Sequence, residues 1–233
     1  MALGIAILAS LGTWQLNRLD EAAGDRVRFS ERLAEPPFDA FVPPADPDLR
    51  RVRVRGVPDW ERHVLLAGKY MWGDVGYQVI VPVRGAEAGP TSTVLVNVGW
   101  VPADEVELIL ARERAVAGVQ VYEGLARAYP EDPSAKGSFP VEGGFQRHWR
   151  AISPKAMAGG GLVPSFVVFE GEGLETDAPI TDRVPPIGGW RMEAPERPHF
   201  QYAVTWYSLM LTLLLVWLSA SVQRDAAPPE PRA

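Results

Sequence analysis

The chain has 233 residues, 23 Lys+Arg against 29 Asp+Glu, a formal net charge of -6 and no cysteine. The acidic balance argues against nucleic acid as a partner, because phosphate binding needs a basic footprint. The missing cysteine excludes disulfides, thiolate catalysis, Cys-ligated zinc and iron–sulfur clusters, and the histidines, His63, His148 and His199, lie too far apart to suggest a preformed metal cage.

In chain order, Met1 to Leu16 carries no charged side chain and Arg18 is the first. As a helix this run reaches roughly 24 Å, short of a hydrocarbon core of about 30 Å. Two readings compete. One is the apolar region of a signal peptide cut near Ala9-Ser10; the other is a membrane helix whose start lies upstream, lost to a start codon placed too far downstream. No Lys or Arg precedes the run, which favours the second.

Pro36-Pro37, Pro43-Pro44 and Pro47 mark an irregular connection. Arg51-Val52-Arg53-Val54-Arg55 alternates with period two, which predicts a strand with one apolar and one basic face. The basic face reads as solvated, or as a surface for an acidic partner or anionic lipid. Val64–Leu66, Gly76–Val83, Thr93–Val98, Val119–Tyr122 and Phe166–Phe169 are short, β-branched and bounded by Gly or Pro, and read as strands. After Pro102, acidic residues followed by Arg112 and Arg114 predict a helix with the charge order that suits its dipole, packing through Val106, Ile109 and Leu110. Asp132 to Gly144 reads as another irregular connection and Gly159-Gly160-Gly161 as a turn; the glycine triplet lacks the Lys-Ser/Thr of a phosphate loop. Asn97, Gly99 and Trp100 look structural, with Gly99 permitting a tight turn, and His63 and His148 read as surface or loop residues.

Phe200 to Val222 is uncharged, spans roughly 34 Å and carries aromatic residues near both ends, as a transmembrane helix requires. The Pro-containing tail beyond it reads as disordered. The predicted fold is thus an α+β membrane protein. Two transmembrane helices, 1–17 and 199–223, flank one mainly antiparallel β-rich extramembrane domain, 18–198. That domain is a sheet or small barrel with a covering helix, and 224–233 forms a tail. The flanking charges do not fix the orientation. No enzyme pattern is present: Ser153 and Ser165 lack a His-and-acid arrangement and there is no Gly-x-Ser-x-Gly. The chain is therefore expected not to be an enzyme.

Specific motifs stand at both helices and in the domain: Gly12-Thr13-Trp14-Gln15-Leu16-Asn17-Arg18, Gly76 to Pro82, Val94 to Pro102, and His199-Phe200-Gln201-Tyr202-Ala203-Val204-Thr205-Trp206-Tyr207. With these motifs in order over nearly its whole length, the chain resembles the Surfeit locus protein 1 family, assembly factors of haem-copper cytochrome oxidase. It departs from the family at Val98, where Arg is usual, and at Pro198, where Asn often precedes the histidine and would supply a hydrogen bond to it. The resemblance implies a two-pass protein of the bacterial cytoplasmic membrane with its domain in the periplasm. It also implies haem a as cofactor, with the oxidase's catalytic subunit, haem a synthase and the lipid bilayer as partners.

His199, Tyr202 and Trp206 share one face of the second helix, and Trp14 and Arg18 are spaced i, i+4 on the first with Gln15 beside them. If the helices are antiparallel neighbours, the two sets meet at one membrane depth. Imidazole can then ligate the iron, aromatic faces can flank the macrocycle and Arg18 can fork onto a propionate. Each residue also has a plainer reading: His199 as an interfacial polar group, Trp14, Tyr202 and Trp206 as belt aromatics, Arg18 as a snorkelling cation, and Gln15 as a helix–helix hydrogen bond. The rival function is a permanent accessory subunit of a respiratory oxidase without a cofactor of its own.

Overall fold

The computed structural model describes residues 2–71, 73–86, 92–129, 146–158, 163–173, 184–190 and 198–225. They divide between two compact units: the chain up to Ser30 with the C-terminal helix, and Glu31 to Glu193. The irregular connection expected at Asp132–Gly144, the turn expected at Gly159–Gly161 and the tail beyond Asp225 lie outside the described residues.

Helix α1 (Ala2–Ala34) is continuous through residue 17, where the apolar run was expected to end. Beyond Leu16 it continues on charged side chains that pair one turn apart, Arg18 with Glu21 at 2.8 Å and Asp25 with Arg28. Such exposed i, i+3 pairs support the helix by only about 0.2–0.5 kcal/mol each, and Phe29 further along is buried, so the break in composition is not a break in structure.

The second unit holds β1 (Phe38–Asp39), β2 (Arg51–Pro58), β3 (Val64–Met71), β4 (Asp74–Gly85), β5 (Thr93–Pro102), α2 (Val106–Arg114), β6 (Gln120–Ala128), β7 (His148–Trp149), α3 (Pro154–Met157) and β8 (Phe166–Glu170). The strand order is β1-β2-β6-β8-β5-β4-β3-β7, and β2 also pairs with β4. The strands β2, β6, β8, β5 and β4 therefore close into a small barrel. Closure depends on the 12-residue β4, whose first part pairs with β3 while Val83–Gly85 pairs with β2. The sheet is mixed: β1–β2, β3–β7 and β5–β8 are parallel, and the remaining pairings antiparallel. The purely sequential strand signals could not reveal the β5–β8 neighbourhood, which needs α2 and β6 to cross between them.

The core follows from the alternation. Val52 and Val54 point inward while Arg51, Arg53 and Arg55 are exposed. Arg53 lies opposite Glu123 on β6 and bonds to it at 2.6 Å, so the basic face is partly neutralised within the sheet. Val106, Ile109 and Leu110 of α2 join Val54, Val81 and Val96 in one apolar cluster, as their helical spacing predicts. Each fully buried side chain of this size contributes about 1.5–3 kcal/mol before entropy is counted. Gly99 does not make a turn. It sits in a bulge of β5 at φ 131°, where a Cβ would come within 2.4 Å of the Ile187 backbone, and its N–H donates to Asn97 Oδ1 at 3.1 Å.

Two histidines differ from expectation. His63 is buried: its Nδ1–H donates to the Trp60 carbonyl at 2.7 Å and Arg147 Nη1 donates to its Nε2 at 2.7 Å. His148 lies in β7, with its ring edge against Tyr77 at 5.8 Å between centroids.

Helix α4 (His199–Asp225) completes the first unit. Among the described residues it is the one helix long and apolar enough to cross a membrane, with a 24-residue span from His199 to Val222. The expectation of two such spans is thus met by α4 alone, because the apolar part of α1 is too short.

Candidate functional site

Within the helix unit, α1 and α4 run antiparallel, and small residues let them approach. A Cβ on Gly4 would stand 3.2 Å from Leu213 Cδ2, and one on Gly12 would stand 2.8 Å from the Tyr207 ring. Tyr207 lies across Gly12, and its hydroxyl hydrogen-bonds Thr13 Oγ1 at 3.0 Å. Ala203 is buried opposite. Close approach at Gly and Ala is how helices associate where lipid supplies no hydrophobic driving force.

At the end of this seam His199 Nδ1–H donates to Gln15 Oε1 at 2.8 Å. Gln15 is 9% exposed, which for an amide on an apolar helix requires a partner, and His199 is that partner. His199 is half-buried, and its Nε2 makes no hydrogen bond among the described residues.

The remaining candidates divide by helical rotation at about 100° per residue. With Gln15 and His199 facing each other, Trp14 and Arg18 rotate to one flank of α1, and Tyr202 rotates to that same flank of α4. Tyr207 and Thr13 occupy the opposite flank, in accord with their hydrogen bond. Trp206 stays close to the seam and is half-buried. Trp14 and Tyr202 are 50% and 52% exposed, and the Arg18 guanidinium lies 5.8 Å from the Trp14 ring centroid while bonding Glu21. The result is an open aromatic and cationic flank beside a histidine with one nitrogen engaged.

The arrangement offers an imidazole nitrogen that could ligate a metal, exposed ring faces that could flank a planar group and a guanidinium that could bind a carboxylate. Arg18 would have to exchange Glu21 for a propionate, a modest change because both side chains are more than half exposed.

The sequence placed Gln15 at a helix–helix hydrogen bond without naming its partner. It read Tyr207 as an interfacial aromatic, whereas the structure lays its ring across Gly12 with its hydroxyl on Thr13. The barrel also holds a cavity of about 420 Å³ lined in part by Trp60, Glu113, Tyr122 and Glu170. Burial, and then the neighbouring Glu113, push the Glu170 carboxyl up to about 7.

A model of the SURF1 family matches residues 2–211. The chain is 29% identical to the human Surfeit locus protein 1 over 234 residues, covering 89% of this chain and 71% of that one. It is 26% identical to the Takifugu rubripes Surfeit locus protein 1 over 235 residues, covering 92% of each. A SURF1-like protein of Rickettsia conorii is 22% identical over 236 residues, covering 97% of this chain and 92% of that one.

Proposed function

The chain belongs to the SURF1 family, and from that premise we propose that it is a membrane-bound assembly factor for haem-copper cytochrome c oxidase that holds haem a on its way into the catalytic subunit. The observation that carries this reading is the half-buried His199 at the end of the helix seam, with Nδ1 bonded to Gln15 and Nε2 without a hydrogen bond among the described residues. In this reading His199 holds the iron through Nε2, Trp14 and Tyr202 flank the macrocycle, Trp206 lines the seam beside it, and Arg18 binds a propionate. Haem a supplies the redox-active iron centre; the chain's own residues bind, orient and partly exclude water. Haem a synthase is the donor and the oxidase subunit the acceptor.

The same reading puts both helices in the bacterial cytoplasmic membrane with the barrel in the periplasm. The apolar part of α1 lies along α4 from Gly4, opposite Leu213, to Gln15, opposite His199. It therefore shares the depth of the α4 span. Trp14, Tyr202 and Trp206 then fall at the lipid–water boundary, where aromatic side chains are favoured.

The test is a strain lacking the chain. We expect its oxidase to lose haem a, wild-type chain to restore it, and His199→Ala, present at the same level, to fail. Oxidase with full haem a content in the deletion strain would contradict the reading. Stoichiometric retention of the chain in purified active oxidase would favour a permanent subunit instead.

A further inference from the structure

Resting on the reading of His199 as the iron ligand, we propose that Gln15 is a positioning residue that fixes the His199 tautomer, holding the proton on Nδ1 so that the Nε2 lone pair faces the haem. An unpartnered neutral imidazole carries its proton mostly on Nε2, the nitrogen that must be bare to ligate. A hydrogen-bond acceptor at Nδ1 reverses that preference and fixes the ring plane. Gln15 Oε1 stands at 2.8 Å from Nδ1 and comes from the other helix, so ring and acceptor are held by the seam rather than by local chain geometry.

Among the described residues no nearer group accepts from Nδ1. Pro198, which precedes the histidine, has neither an N–H nor a polar side chain, and its carbonyl is occupied by Tyr202 N–H at 3.0 Å in the first turn of α4. Gln15 is buried, so its amide has little access to water as an alternative partner. The neighbouring Gly12 contact with Tyr207 holds the seam closed by a separate set of atoms, so the helix pair does not depend on Gln15 alone. Ligand preparation is therefore separable from helix association.

The experiment uses the full chain in detergent micelles. Nitrogen-15 NMR of His199 in the haem-free protein reads the tautomer, and haem a titration followed by absorbance and by midpoint potential reads the consequence. Wild type should carry its proton on Nδ1. Gln15→Ala, and Gln15→Asn whose acceptor is one methylene short, should move it to Nε2 and weaken haem a binding about tenfold or more. Gln15→Glu, which keeps an acceptor and makes it anionic, should retain binding and lower the midpoint potential. Unchanged tautomer and affinity in Gln15→Ala and Gln15→Asn, or an unchanged potential in Gln15→Glu, would overturn the proposal. Failure of the ligand reading itself looks different: His199→Ala would then bind haem a as wild type does, whatever the tautomer in the haem-free chain. A helix pair lost in Gln15→Ala would show as lost cross-linking between cysteines placed at Gly4 and Leu213, and the Gln15→Glu potential then carries the decision.

Discussion

His63 and Glu170 bias the stability of the barrel in opposite directions along the pH scale. Burial holds the His63 imidazole below its usual 6.5, despite the Trp60 carbonyl, and Arg147 adds to the effect. Its contribution is present above about pH 6.5 and is lost as pH falls through the depressed value. Glu170 is displaced upward, from 4.5 to about 7, so the folded state holds its proton more tightly than the unfolded chain. Stability therefore falls as pH rises from about 4.5 through about 7. At about 1.4 kcal/mol per tenfold change in proton affinity, the loss by about pH 8 reaches up to about 3 kcal/mol. Glu170→Gln should abolish the fall in thermal midpoint as pH rises from about 4.5 through about 7 and leave the His63-linked fall on acidification. An unchanged slope across that window would show that Glu170 is not its source. Neither residue's state was legible in the sequence. The Arg147 partner of His63 lies 84 residues away, and Glu113 meets Glu170 only once the barrel is closed.

The elements themselves were more legible, where each rests on its own pattern. The Arg-Val alternation of β2 and the apolar spacing of α2 gave faces that the fold buries as read. The two-residue strands β1 and β7 carry no periodicity, being present only because longer neighbours pair with them. Helix α1 outran its apolar signal, continuing past Leu16 through residues that pair one turn apart and through the buried Phe29. Its seam with α4 is tested by substitution at Gly12, where any side chain must displace the Tyr207 ring. Because the chain has no cysteine, a pair introduced as Gly4→Cys and Leu213→Cys is the sole site of thiol cross-linking. We expect a short bismaleimide to join them within one chain, and Gly12→Leu to lower the yield at least about tenfold. Equal yields with and without Gly12→Leu would remove the Gly12–Tyr207 contact as the determinant of helix approach.

At the scale of the whole molecule, the order helix, β-rich domain, helix was readable from the distribution of charge and proline. Barrel closure was not, because it is set by the length of β4 and the register of its last residues on β2. A second span was not established either, since membrane crossing is a property of length and composition and about half of α1 lies beyond Leu16, where all of its charged residues fall. The functional account concentrates at one nitrogen atom. The decisive measurement is pulsed electron paramagnetic resonance of ferric haem a bound to the full chain with nitrogen-15 histidine. The account predicts a directly coordinated histidine nitrogen that persists when His63 or His148 is replaced singly and vanishes in His199→Ala. A coordinated histidine signal that survives His199→Ala, or none in the wild-type chain, would contradict it.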